Sequence, residues 1–147
     1  MFKPKRILVT TDFNEESDAA LREAVGIGEQ FRSTIYLLHV IPGVQACSVD
    51  YCLSDAEVTT VESRLVQEAD LGMREMINRV APDSIAEIVR EVRFGTVIDE
   101  AVALERERAI DLVIAAPHRH RRRWMRETHH LVTSLVNKSA CETMVIR

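Results

Sequence analysis

The chain is short of cysteine, glycine and long apolar runs, and each shortage removes a class of protein. No apolar run approaches the roughly 20 residues needed to cross a bilayer, so no membrane insertion is expected. The apolar stretch before Asp12 is too short for a signal peptide, and a cytoplasmic location is the expectation. The three cysteines, Cys47, Cys52 and Cys141, are odd in number and widely placed, with no CxxC. They exclude a disulfide framework and a zinc set, and all three are expected to be reduced. There is no Gly-x-Ser-x-Gly and no pair of carboxylates in an apolar setting, so no catalytic residues are assigned and an enzyme is not expected. No repeat, low-complexity tract or linker divides residues 1–147, which read as one domain. Five glycines occur, and none lies between Ala116 and His130.

What is present is an ordinary globular composition, 46% hydrophobic and 29% charged over 147 residues, enough to bury a core without a metal. Short apolar runs alternate with amphipathic ones. "RILVTTD" ends at Asp12 and reads as a strand buried on both faces. A helix follows, capped by Asn14 or Ser17, with Leu21, Ala24, Val25, Gly28 and Phe31 at helical spacing. "STIYLLHVI" is the second strand, closed by Pro42-Gly43. Ser54 or Asp55 caps a long helix that turns Val58, Val61, Leu65, Gly72, Met76 and Val80 inward and stops at Pro82. "AEIVREVR" alternates, with Ala86, Ile88 and Val92 opposite Glu87, Glu91 and Arg93, which suits an edge strand. A helix from Gly95 to about Arg108 turns Ile98, Ala101 and Val102 inward. "DLVIAA" is apolar throughout and central, a helix runs from about Trp124 or Thr128 to Lys138, and "TMVIR" is the last strand.

The order βαβαβαβαβ predicts an α/β fold, a parallel sheet with helices on both faces joined by right-handed crossovers. In such sheets ligands bind outside the carboxyl ends of the strands, where strand order reverses. Asp12 and the segment from Ala116 to Arg119 are the expected walls of that crevice.

The segment that follows Ala116 is the chain's most unusual. From Arg119 to Arg126 it holds five arginines and no acid, on a chain of net charge -4. Taking those five from 19 Lys+Arg leaves 14 against 23 acids, a remainder of about -9. Three readings stay open. The loop is a solvated counter-charge, or an anion site in which Arg119, Arg121, Arg122 and Arg123 grip phosphate through bidentate contacts, or a nucleic-acid contact with Trp124 as a stacking face. Nucleic acid is the least expected, because an isoelectric point of about 5.7 opposes long-range attraction. His118, His120, His129 and His130 have the right chemistry for a metal, but the arginines around them repel a cation, and no metal is expected. His39 reads as a half-buried strand-end histidine whose bonds are satisfied.

"ILVTTDFNEESDAAL" followed by "STIYLLHVI" resembles the opening of the universal stress protein family, as "FGTVIDEAVALERERAIDLVIAAPH" resembles its later half and "ACETMVIR" its closing strand. Residues 43 to 85 match only as a loop and a helix. The resemblance implies a five-stranded, Rossmann-like sheet of the adenine nucleotide alpha hydrolase type, in the order 3-2-1-4-5. It also implies a homodimer paired through the last strand at Thr143, Met144, Val145 and Ile146. Many members hold ATP through Gly-x2-Gly-x9-Gly-Ser after the fourth strand. That spacing falls here on Ala116, Arg119, His129 and His130, none of them glycine or serine. The nucleotide crevice implied by the family, with Asp12, Val40, Ala116, His118, Arg119, His129 and His130 around it, is therefore degenerate. Side chains at those positions crowd the phosphate path, and Pro117 removes an amide donor. The chain resembles the A-type branch, which lacks the motif. No cofactor is expected, with ATP or AMP as the alternative, and the expected role is non-catalytic stress response or signalling through itself and an unidentified protein partner.

Overall fold

The computed structural model describes residues 1–48, 50–116 and 126–146. Nine elements follow the alternation: β1 (Arg6–Thr10), α1 (Glu15–Phe31), β2 (Thr34–Ile41), α2 (Asp55–Val80), β3 (Glu87–Phe94), α3 (Val97–Arg108), β4 (Leu112–Ala115), α4 (Arg126–Lys138) and β5 (Glu142–Val145). All strand pairs are parallel, in one five-stranded sheet ordered β3-β2-β1-β4-β5.

Burial explains which strands are apolar. Ile7, Leu8 and Val9 of β1 are fully buried, and so are Val113 and Ile114 of β4, because each of these strands has a strand on both sides and helices above and below. On one face, Leu21 and Ala24 of α1 and Met73 and Met76 of α2 pack on Ile7, Val9, Ile35, Leu37 and Ile114. On the other, Ala101 and Leu104 of α3 and Leu135 of α4 pack on Leu8, Leu38, Val40 and Val113.

β3 is an edge, and its alternation is resolved into two different partners. Ile88 and Val92 lean on the first apolar cluster. Glu91 and Arg93 instead meet α3, through Arg108–Glu91 and Arg93–Glu107 ion pairs. Arg90 of β3 reaches Asp70 of α2 at 2.7 Å, and Arg74 closes on the same carboxylate at 3.1 Å.

Several expectations sharpen or change. Asn14 caps α1, accepting from the Ser17 N–H at 2.8 Å, and Ser54 caps α2 in a reciprocal box with Glu57. Val61 does not face inward; it is 38% exposed. The buried residues of α2 are Ala69, Met73 and Met76, all in its second half, where the helix lies over the sheet. α3 buries Leu104 and also Glu105, whose Oε2 accepts from the Ala140 N–H at 3.2 Å.

The cysteines require a correction. Cys47 and Cys52 are not free thiols: they face each other in an isolated antiparallel bridge and are joined by a disulfide. The loop after β2 doubles back as a hairpin, which places together two residues that the sequence treats as isolated. Cys141 stays a thiol.

Candidate functional site

The connection after β1 passes to α1 on one face, while α4, which follows β4, lies on the other. β1 and β4 are neighbours, so their carboxyl ends flank the point where strand order reverses. A small cleft opens there, lined by Thr10, Thr11, Asp12, Leu38, Val40, Val97 and Leu131, with a volume of about 10 Å³. That is about the space one water centre occupies.

The floor of the cleft is set by the turn from β1 into α1. Thr11 is buried, its N–H bonded to Leu38 O at 2.9 Å and its hydroxyl set against Met76 Sδ at 3.3 Å. Asp12 is exposed, and its N–H donates to Ser17 Oγ at 3.2 Å. Ser17 Oγ in turn donates to Asn14 Oδ1 at 2.7 Å. The helix cap and the crevice rim are thus one hydrogen-bonded turn. Asn14, not Asp12, is the helix cap, so the Asp12 carboxylate is not the group that starts α1.

Phe13 takes a left-handed backbone, φ 63°, which a non-glycine residue adopts only when its surroundings require it. Its N–H donates to Thr11 Oγ1 at 2.9 Å. Its ring lies tilted on His39, centroids 4.5 Å apart, and against Gly72 of α2, where an added Cβ would meet the ring at 3.1 Å. His39 Nδ1 is 2.8 Å from Thr11 O. A carbonyl oxygen only accepts, so Nδ1 is the donor in this contact. His39 is half-buried, as expected, and its Nδ1 is bonded. The second strand thereby steadies the loop that carries Asp12.

The structure brings Asp12 and Val40 to one cleft, with Val40 buried as part of its wall. Ala116 is half-buried past the end of β4, beside the first apolar cluster rather than in the cleft lining. His118, Arg119, Arg121, Arg122 and Arg123 lie outside the described residues, as do His120 and Trp124. His129 and His130 fall within α4. Among the described residues no group of three or more His, Cys, Asp and Glu could hold a metal. No helix among them is long and apolar enough to cross a membrane. Val97 of α3 and Leu131 of α4, which the sequence reading did not place at the crevice, line it as well.

At the far edge, β5 pairs with β4 on one side only. Met144 and Ile146 pack on the first apolar cluster, while Val145 is 38% exposed. Thr143 is half-buried, and its hydroxyl oxygen has no hydrogen-bond partner among the described residues.

A doubly wound parallel sheet with its crevice at the β1–β4 switch point defines a Rossmann-like α/β protein of the kind that takes ligands at strand ends. The universal stress protein family model matches residues 3–147, and the chain belongs to that family. It is 33% identical over 112 residues to universal stress protein G of Shigella flexneri and of Escherichia coli O157:H7, covering 75% of this chain and 76% of each relative. Among solved structures, the universal stress protein UspA from Lactobacillus plantarum superposes with a TM-score of 0.79 at 20% identity, over 100% of both chains. A universal stress protein in complex with cAMP superposes with a TM-score of 0.72 at 14% identity, over 99% of this chain and 98% of that one. At these identities the two structures speak for the fold, which they share.

Proposed function

We propose that this universal stress protein is a non-catalytic, cytoplasmic stress-response or signalling protein, acting as a homodimer and through a protein partner, with a crevice that no longer holds ATP. The observation that carries this reading is the absence of glycine from residues 116–130. Phosphate cradling needs backbone amides to approach the anion closely, and glycine is what permits that approach. Here the positions that resemble the glycine motif carry Ala116, Arg119 and His129. The small volume of the cleft beside Asp12 and Val40 supports the same view.

The competing reading is a nucleotide switch with weak or no ATPase activity. It is favoured by the place of Asp12 in the lining of the cleft and by the neighbour described in complex with cAMP. Melting curves with ATP separate the two. A ligand at 100 times its Kd stabilises by about 2.7 kcal/mol, several degrees for a domain of this size. The expected result is no comparable rise at millimolar ATP and no adenine nucleotide released from the purified, denatured protein. A rise of several degrees with ATP, absent with simple polyanions, overturns the proposal.

The arginine-rich segment supports anion binding through side chains. Four arginines, Arg119, Arg121, Arg122 and Arg123, lie within five residues and next to the only tryptophan, Trp124. One exposed charge pair contributes about 0–1 kcal/mol, so several must converge. Phosphate or sulfate at low salt is then expected to change Trp124 fluorescence, and the Arg121→Ala, Arg122→Ala, Arg123→Ala triple variant to lose that response. A response that survives the triple change places the anion elsewhere.

A further inference from the structure

The loop between β2 and α2 holds a chemical pair that the crevice does not use. Cys47 and Cys52 are five residues apart, exposed, and joined across the hairpin with their Cα atoms 4.1 Å apart. Backbone bonds hold the hairpin independently of the sulfurs. The Ser48 N–H donates to Tyr51 O at 2.8 Å, and the Leu53 N–H to Ala46 O at 2.7 Å. Ser48 Oγ adds a bond to Tyr51 O at 3.3 Å. The same turn is tied to the start of α2. Tyr51 Oη donates to Glu57 Oε1 at 3.2 Å, while Glu57 Oε2 accepts from the Ser54 N–H at 2.7 Å. Opening or closing the sulfur bridge therefore acts on a loop already connected to the cap of a long helix.

Cys141 is the contrast. It is half-buried, and burial first, then the carboxylates of Glu105 and Asp111, push its thiol pKa up. Thiolate is the reactive form, so Cys141 is kept inert while the hairpin pair is open to solvent.

We propose that Cys47 and Cys52 are a reversible dithiol–disulfide modification site whose co-reactant is a small-molecule disulfide of the glutathione type. One cysteine thiolate attacks the co-reactant's S–S bond, forming a mixed disulfide and expelling one small thiolate. The other cysteine thiolate then attacks the protein sulfur of that mixed disulfide, closing the Cys47–Cys52 bond and expelling the second small thiolate. The pair loses two electrons and two protons, and the co-reactant gains both as two thiols. Reduction runs through the same steps in reverse. The hairpin raises the effective concentration of the second thiol, which favours internal closure over a lasting mixed disulfide. The site stands apart from the nucleotide question, since neither cysteine lines the cleft.

The test uses the intact protein, reduced and then equilibrated across a series of oxidised-to-reduced glutathione ratios, quenched with an alkylating agent and weighed by mass spectrometry. Two alkylation sites are expected to disappear together as the ratio rises and to return when it falls, with peptide mapping assigning the link to Cys47 and Cys52. Cys141 is expected to remain alkylated throughout. Cys47→Ser and Cys52→Ser, both in an exposed loop, are each expected to accumulate a single glutathione adduct on the remaining hairpin cysteine. Hydrogen exchange at the Leu53 amide is expected to quicken about tenfold on reduction, as the chain constraint on the loop is lost. The proposal is overturned if the hairpin thiols stay alkylated at every ratio or if Cys141 reacts in step with them. Cross-linking of separate subunits in place of internal closure overturns it too, as does a bridge that excess reduced glutathione does not reopen.

Discussion

Asn14 decides where the first helix begins, and with it the shape of the crevice rim. Its side-chain oxygen accepts from both the Ser17 N–H and the Ser17 hydroxyl, and Ser17 Oγ in turn receives the Asp12 N–H. Asn14→Ala removes the cap and releases that turn, at a cost of about 1 kcal/mol or somewhat more, measurable as a lower urea midpoint with an unchanged slope. Asn14→Asp keeps the acceptor and is expected to restore most of the loss. Asp70 shows how a charge acts at a single position. The hydrogen bond from Arg90 first, then the charges of Arg90 and Arg74, outweigh desolvation and hold its carboxyl below the usual carboxylate range. A depressed carboxyl stabilises the fold above its unfolded pKa of about 3.9 and loses that contribution as pH falls through the lower folded value. Asp70→Asn is therefore expected to cost a little at pH 7, below about 1 kcal/mol for so exposed a pair, and to differ less from the parent at pH 3. An equal difference at both values would argue that the ion pairs contribute nothing.

Helix α1 meets the sheet through a glycine. An added Cβ at Gly28 would lie 3.0 Å from Ile35 Cδ1, and Ile35 is fully buried in β2, so its side chain must shift by a few tenths of an ångström within the core. Gly28→Ala improves helix propensity by about 1 kcal/mol, while overpacking a core costs typically about 1–3 kcal/mol. The clash is expected to win and lower the melting temperature. Ile35→Val removes the offending methyl, so the double variant is expected to be more stable than the sum of the two single changes predicts. Strict additivity in that cycle would show that α1 shifts away from the sheet instead. β3 adds charge to its apolar packing: it is tied to α3 by Arg93–Glu107 and to α2 by Arg90–Asp70. That division of labour suits an edge strand, whose outer side has no strand to cover it.

The sheet as a whole has two unlike edges. β3 is dressed with Arg90, Glu91 and Arg93, whereas β5 has one charge, Glu142 at its start, followed by Thr143, Met144 and Val145. An apolar edge invites pairing with another strand, and antiparallel addition of a second copy about a two-fold axis covers both copies at once. The proposed homodimer follows from this asymmetry, with a mass of twice 16.7 kDa expected by light scattering. Val145→Lys places a charge on an exposed apolar position of that edge and is expected to shift the mass to that of a monomer while leaving the far-ultraviolet spectrum intact. A parent protein already monomeric at high concentration would sink the β5 interface.

The alternation of apolar and amphipathic segments was enough to order nine elements and mark β1 and β4 as central. A strand buried on both faces has no polar position to spare, and such runs are visible in a linear string. The edge character of β3 was legible for the converse reason: Glu87, Glu91 and Arg93 leave it one face that no core accepts. The missing glycines were legible too, because backbone access to an anion depends on residue type before it depends on geometry. Other features waited on the fold. Val61 follows the helical period but lies in the half of α2 whose residues stay out of the core. Glu105 is charged yet buried, because α3 carries it against the chain between α4 and β5, where the Ala140 N–H meets it. The pairing of Cys47 with Cys52 depends on a hairpin whose path is set by backbone hydrogen bonds, and no spacing rule contains that path. Local patterning determines what each segment is, since period and residue type act within a few residues. Which side chains then meet was left to the tertiary structure, because that depends on where distant segments cross.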